Sequence, residues 1–168
     1  METGSVPPVA ISVLAGWGAW TLTEYVAHRW ILHPHLRGPL AAALSAEHRM
    51  HHRDPMLTRP ALRAAGHLTI WLLALGGTYA GARLTTGDPP AAPVVGLAAG
   101  WALGYSVYEL GHWRTHHRRS RPGPRRAIRR HHLIHHRDRT GVNYGVTVDW
   151  WDRVFGTRRT STGRQEQG

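Results

Sequence analysis

Cysteine is absent from this chain, and so is lysine. Without a thiol there are no disulfides, no Cys-ligated zinc, no iron–sulfur cluster and no thiol nucleophile. With no lysine, all 21 basic residues are Arg, set against only 10 acids, for a formal net charge of +11. Phenylalanine occurs once, while Trp occurs 8 times and His 14 times. An apolar fraction of 42% excludes a disordered basic tail. The 168 residues suit one domain, expected over 1–160, with 161–168 as a flexible C-terminal tail. The mean hydropathy of −0.36 averages over a strongly segregated chain.

Charge is missing from three stretches: most of 6–27 (VPPVAISVLAGWGAWTLTEYVA), 64–82 (AAGHLTIWLLALGGTYAGA) and 89–108 (PPAAPVVGLAAGWALGYSVY). A bilayer core needs roughly 20 apolar residues in a helix, so each reads as a membrane span. Their Gly and Ala suit close helix packing, and Trp17, Trp20, Trp71 and Trp101 sit as interfacial aromatics do. A soluble bundle of three such helices would lack amphipathic partners to cover them. The first stretch has no basic residues before it and runs directly into Glu24 and a His group, so it is not a signal peptide. No internal repeat stands out.

The arginines flank these stretches asymmetrically. Residues 28–65 carry six Arg and two acids, and residues 111–168 carry 14 Arg and four acids. The positive-inside rule makes both segments cytoplasmic and puts the Gly87–Asp88–Pro89 turn on the other side. The run RRSRPGPRRAIRR at 118–130 suits anionic headgroups. Nucleic acid is not an expected partner.

The histidines are clustered rather than scattered. Six fall between His28 and His52, seven between His112 and His136, and His67 stands alone. His28 and His33 read HxxxxH, His48/His51/His52 read HxxHH, His112/His116 read HxxxH, and His132/His135/His136 repeat HxxHH. Helix positions i, i+3 and i+4 share a face, so each HxxHH turns three imidazoles one way. HxxxxH is about 140° out of register and needs a helix end or a local distortion. Ten imidazoles exceed the capacity of one metal and suit two, with about five nitrogens each. A polyhistidine buffer would be low-complexity, which these dispersed boxes are not. His35, His67, His117 and His131 are left over; His132 is chosen over His131 because it completes the box. Imidazole suits Fe, Zn, Cu and Ni alike. A pair of redox metals at a membrane points to O2 activation and attack on a lipid C–H bond, whereas zinc has no redox chemistry.

These motifs together resemble the fatty acid hydroxylase/sterol desaturase superfamily of integral-membrane diiron enzymes, and within it the fatty acid 2-hydroxylases. The likeness runs through EYVAHRWILH at 24–33, EHRMHHRDP at 47–55, GYSVYELGHWRTHH at 104–117, RRHHLIHHRD at 129–138 and NYGVTVDWWDRVFGT at 143–157. The last run separates this group from the carotenoid hydroxylases. Tyr144 stands where the family often has Phe. The resemblance implies an all-α integral membrane bundle of about three spans with a cytoplasmic, histidine-rich helical cap; the relatives often have four. Its implied ligands are His28, His33, His48, His51, His52, His112, His116, His132, His135 and His136. They would hold two iron ions, or zinc after purification, with O2 as co-substrate. Many relatives carry a haem domain for which this length has no room. The expected partners are therefore a lipid substrate, the membrane and a separate electron donor, a b-type cytochrome or ferredoxin-like protein.

The expected activity is hydroxylation of a fatty acyl or related lipid. The competing readings are a carotenoid- or sterol-type hydroxylase or desaturase on the same site, and a zinc-dependent membrane hydrolase. Glu24, Asp54, Glu109, Asp138 and Asp152 are candidates to orient imidazole N–H groups. Gly and Ala in 96–104 would leave room for an acyl tail, and Arg residues in 114–130 would hold a headgroup or an acidic donor protein. The Arg-only, Ala/Gly-rich usage is a GC-rich coding bias, so the expected location is a bacterial plasma membrane with the metal site on its cytoplasmic side.

Overall fold

The computed structural model describes residues 8–33, 38–56, 60–88, 90–119, 121–138 and 141–161. Among them there is helix and no strand. The helices are α1 (Pro8–Val26), α2 (Pro39–Arg53), α3 (Pro60–Thr86), α4 (Ala91–His117), α5 (Pro124–Arg137) and the single turn α6 (Trp150–Val154), with a π-helical stretch at Ala27–Leu32 following α1. His35 and the tail from 162 onward lie outside the described residues. The chain divides into two compact units. One takes in Met1–Trp20 and Thr58–Val107, the other Thr21–Leu57 and Tyr108–Gly168.

The first unit is built on α3, most of α1 and most of α4. Its α1–α4 contact is made backbone to backbone. A Cβ on Gly100 would lie 1.9 Å from the Val13 carbonyl oxygen, and one on Gly16 would lie 2.0 Å from that of Leu97. The Trp20 ring covers Gly104, where a Cβ would approach to 2.6 Å. Small residues four apart on one helix face permit this approach. The glycines of 96–104 therefore do not leave space for an acyl tail, because α1 fills it. Trp20 then meets Trp101 and Tyr105 edge to face, with centroids 4.7 and 5.2 Å away. Tyr105 Oη lies 2.5 Å from His67 Nδ1, joining α3 to α4.

The outer faces of this unit are apolar: Leu14, Leu68, Leu72, Leu73 and Leu84 are all more than half exposed. Among the described residues, α4 alone is both long and apolar enough to cross a membrane by length and composition.

The second unit carries every histidine box. Its helices α2 and α5 are built alike. Each starts with Pro at its first position, after Gly38 or Gly123, and ends on an Asp whose N–H bonds back four residues, Asp54 to Met50 and Asp138 to Ile134. Between these ends both carry the same string, HxxHHRD, at 48–54 and 132–138. This is an internal repeat, short and split by an intervening apolar segment.

Candidate metal centre

The local geometry follows from the spacing of the boxes. His33 follows His28 by five positions, and the four residues between them are π-helical, closing with His33 N–H on His28 O at 3.1 Å. A π-turn bonds i to i+5, which brings back toward one side a pair that an α-helix would splay. The distortion that HxxxxH requires is thus present. In α2 and α5 the HxxHH boxes need no distortion. His112 and His116, one turn apart, end α4.

The ten predicted imidazoles gather into two groups of five. His28, His33, His48, His52 and His135 form one, and His51, His112, His116, His132 and His136 the other; within each, the ligand nitrogens all lie within 4.8 Å of one another. Each HxxHH is shared. Box α2 gives His48 and His52 to the first group and His51 to the second, while box α5 gives His132 and His136 to the second and His135 to the first. On an α-helix i and i+4 are about 40° apart and i+3 lies about 60° to the other side of i. Three rings on one face are thereby divided between two neighbouring centres. The centres touch through His52 and His136, whose rings stack at 4.2 Å.

In the first group His48 Nε2 faces three other Nε2 atoms, those of His28 at 3.1 Å, His33 at 3.0 Å and His52 at 3.0 Å. His135 Nε2 stands 3.1 Å from both His33 and His52. In the second, His112 meets His51 at 2.9 Å, and His132 meets His116 at 3.1 Å and His136 at 3.0 Å. One N–H can be shared with one acceptor, so hydrogen bonding does not account for a nitrogen facing three others. Adjacent ligands at right angles on a metal, with bonds of about 2.1 Å, would stand about 3.0 Å apart. The donor set fits a metal ion in each group.

Protonation is arranged to suit. His28 Nδ1–H donates to the Tyr144 carbonyl at 2.5 Å, and His135 Nδ1–H donates to that of Val142 at 2.7 Å. These bonds fix the tautomer that leaves an Nε2 lone pair facing inward. Burial, reinforced by the neighbouring imidazoles, holds His48 and His132 well below the usual imidazole range. The same causes bring His135 down to about 3. Rings held down in this way are neutral at neutral pH, and neutral imidazole is the form that binds metal.

The segment supplying these carbonyls is itself held by two acids. Glu24 accepts from Val146 N–H at 2.6 Å, from Thr147 N–H at 2.8 Å and from the Thr147 hydroxyl. Fully buried Asp152 accepts from the N–H groups of Tyr144 and Gly145, both at 2.8 Å, from Thr157 Oγ1 at 2.7 Å and from His131 Nε2 at 2.9 Å. Burial alone would raise the Asp152 carboxyl, but the hydrogen bonds from His131, Thr157 and Gly145 outweigh it and hold it below the usual range. Asn143 adopts a left-handed φ of 57°, and its amide donates to the carbonyls of His131 and Arg159. Gly145 is demanded by contact, since a Cβ there would lie 2.0 Å from Val148 O.

The expected carboxylate partners are therefore arranged differently from the sequence reading. For His28 and His135, backbone carbonyls take the imidazole N–H, and Glu24 and Asp152 position the loop that carries them. Asp54 accepts from Met56 N–H at the end of α2, and Asp138 lies 3.4 Å from Arg159 Nη1. Glu109 is half-buried on α4. The loop carbonyls were missed because every residue has one; the sequence signal was the NYGVTVDWWD run. The leftover histidines fall outside both groups. His131 bonds Asp152, His117 donates to the Trp113 carbonyl at 2.9 Å, and His67 pairs with Tyr105.

A helical chain with paired five-imidazole centres defines a class of histidine-box metalloproteins. The chain belongs to the fatty acid hydroxylase family, whose model matches residues 13–157. It is 30% identical to the dihydroceramide fatty acyl 2-hydroxylase FAH2 of Arabidopsis thaliana, over 90% of this chain and 62% of that one. With FAH1 of the same plant it shares 30% identity over 97% of this chain and 67% of the relative. It is 32% identical to the ceramide very long chain fatty acid hydroxylase scs7 of Schizosaccharomyces pombe, over 92% of this chain and 44% of that one. The chain thus spans about two thirds or less of these relatives. A solved structure of full-length Scs7p, with only the hydroxylase domain visible, aligns with a TM-score of 0.69 and 26% identity over 90% of this chain and 56% of that one.

Proposed function

We propose that this chain is an O2-dependent lipid hydroxylase in which His28, His33, His48, His52 and His135 hold one iron and His51, His112, His116, His132 and His136 hold a second. The observation that carries this reading is the pair of five-nitrogen groups lying against each other. Two irons bound there would supply the capacity to reduce O2 and break an unactivated C–H bond, which no side chain here possesses. Zinc would sit in the same nitrogens without that capacity. The balance is RH + O2 + 2 e⁻ + 2 H⁺ → ROH + H2O, with both electrons from a separate one-electron carrier.

The protein's own part is positioning. The π-turn brings His28 and His33 together, the Val142 and Tyr144 carbonyls fix two ring orientations, and Glu24 and Asp152 stiffen the loop behind them. The substrate class is a fatty acyl chain, as the 2-hydroxylase relatives suggest, with position 2 the carbon attacked. Residues 1–160 act as one hydroxylase domain. We take α1, α3 and α4 as three membrane spans; the exposed leucines of α3 and the absence of charge from the middle of these helices support that topology. The arginine excess after α1 and α4 supports a cytoplasmic metal centre in a bacterial plasma membrane.

The test is lipid mass spectrometry of cells with and without the chain, together with iron analysis of protein purified under mild conditions. A gain of one oxygen on an acyl chain and about two irons per chain are expected. Loss of two hydrogens instead would make it a desaturase, and unchanged lipids with a zinc-only active protein would sink the reading.

A further inference from the structure

We propose that the arginine-lined groove on α5 is the docking site of an acidic one-electron carrier protein; this rests on the hydroxylase reading above, which requires two electrons from outside. The groove encloses about 430 Å3 and is lined by Arg126, Arg129, Arg130 and Arg137 around Leu133 and Ile134. From 118 to 137 the chain has eight Arg and no acid. Arg126, Arg130 and Arg137 are exposed and have no carboxylate partner among the described residues. Arg129 is tied down, its Nε donating to the Thr115 carbonyl at 2.9 Å. Unpaired guanidinium groups at a surface are a cost in self-repulsion that a partner of opposite sign removes.

Two features select a protein over a lipid surface. From Arg126 to Arg137 the row runs about 16 Å along the helix, longer than one headgroup needs and suited to a protein contact patch. A helix face that enters a bilayer presents exposed apolar side chains beneath its cations. Here the exposed α5 residues are Pro124, Arg125, Arg126, Ala127, Arg130 and Arg137, while Ile134 is buried. The sequence alone favours headgroups for the run 118–130, which includes Arg126, Arg129 and Arg130; the distribution of exposure on α5 favours the acidic protein.

The position also suits electron delivery. At 100° per residue the Arg row lies about 120° round α5 from His132, His135 and His136. The same helix supplies ligand nitrogens to both five-imidazole groups. A carrier seated in the groove is separated from either by about one helix diameter. Each encounter delivers one electron and leaves the carrier oxidised by one, so a turnover takes two encounters.

The experiment measures binding of the reduced soluble haem domain of an acidic b-type cytochrome to the full-length, metal-loaded protein in nanodiscs. Kd is followed across ionic strength, and flotation with anionic phosphatidylglycerol vesicles is measured in parallel. Wild type should bind at low salt and weaken as salt rises. Arg126→Glu/Arg130→Glu/Arg137→Glu should raise Kd at least about tenfold and flatten the salt dependence. Arg153→Glu, an exposed control outside the groove, should leave Kd unchanged. If the triple variant loses metal or melts early, Arg130→Gln and Arg137→Gln singly replace it, each raising Kd several-fold. Absence of wild-type binding at low salt, or unchanged binding by the variants, overturns the docking site. So does loss of vesicle flotation with cytochrome binding intact, which would make this a lipid-facing surface. Turnover driven by sodium dithionite involves no docking. If wild type makes no hydroxylated lipid with dithionite, the hydroxylase reading fails; if dithionite works and binding does not depend on the arginines, the docking site alone fails.

Discussion

His52 and His136 stack face to face, 17° from parallel with centroids 4.2 Å apart, although each belongs to a different five-nitrogen group. They are the last histidines of two HxxHH boxes that lie far apart in sequence. The exchange of one imidazole between the boxes, His51 in one direction and His135 in the other, makes the two centres one structural object. Removing a single ring should therefore cost the ion of its own group and, with it, the paired site.

His136→Ala should lower bound metal from about two ions per chain toward one and cut hydroxylated lipid by at least about 100-fold, the upper end of what loss of an outer hydrogen-bond partner costs a metal site. His51→Ala should do the same from the α2 side. Metal analysis and product mass spectrometry check both. Retention of two ions and full product by either variant would refute the ligand assignment.

Gly145→Ala tests the carbonyl loop. The added Cβ would fall 2.0 Å from Val148 O, so the 142–146 backbone must move, carrying the carbonyls that receive His28 and His135. Metal affinity should fall roughly 10–100-fold with all ten histidines in place. Competition against a chelator reads this directly. Unchanged affinity would mean that the carbonyls do not orient those rings.

Asp152→Asn changes the shape least and the chemistry most. The carboxylate accepts from four donors, and an amide nitrogen in place of one oxygen cannot accept. At about 1–3 kcal/mol for each buried donor left unsatisfied, a loss of roughly 2–4 kcal/mol is expected. Chemical denaturation should register it as an earlier midpoint. A variant as stable as wild type would show the loop is held elsewhere.

Much of the site is legible in the sequence because helix geometry converts spacing into direction. The boxes, the need for a distortion between His28 and His33, and the choice of His132 over His131 all follow from that rule. The division of each box between two centres depends on the angular difference between i+3 and i+4, which treating three rings as one face conceals. The HxxHHRD repeat is similarly hidden by the long apolar segment between its copies. The roles of Glu24 and Asp152 act through backbone atoms, which carry no residue signature. The Gly-rich 96–104 stretch reads equally well as room for a ligand or as a close contact, and only the approach of Val13 and Trp20 decides it.

Gly100→Leu follows from that contact. A Cβ at this position would lie 1.9 Å from Val13 O, and branched atoms beyond it would force α1 off α4. Overpacking costs typically about 1–3 kcal/mol, and more where backbone rather than side chain must yield. Thermal unfolding in detergent should begin several degrees lower. Gly76→Leu is the control, because nothing lies within 4 Å of a Cβ there.

Acid should act on the metal-free protein through the buried imidazoles. Burial holds His48 and His132 well below the usual imidazole range, and His135 near 3. The unfolded chain takes up these protons near its ordinary pKa of about 6.5, so below that pH it binds more protons than the folded chain. Stability is then fully present above about pH 6.5 and declines as pH falls toward 3. Denaturation midpoints of chelator-treated protein, measured from pH 8 down to 4, should fall monotonically below pH 6.5. Metal loading should raise the midpoint at every pH, with a gain that shrinks on acidification as protons compete for the same nitrogens. A midpoint independent of pH across this range would mean that these rings are solvated and free to titrate.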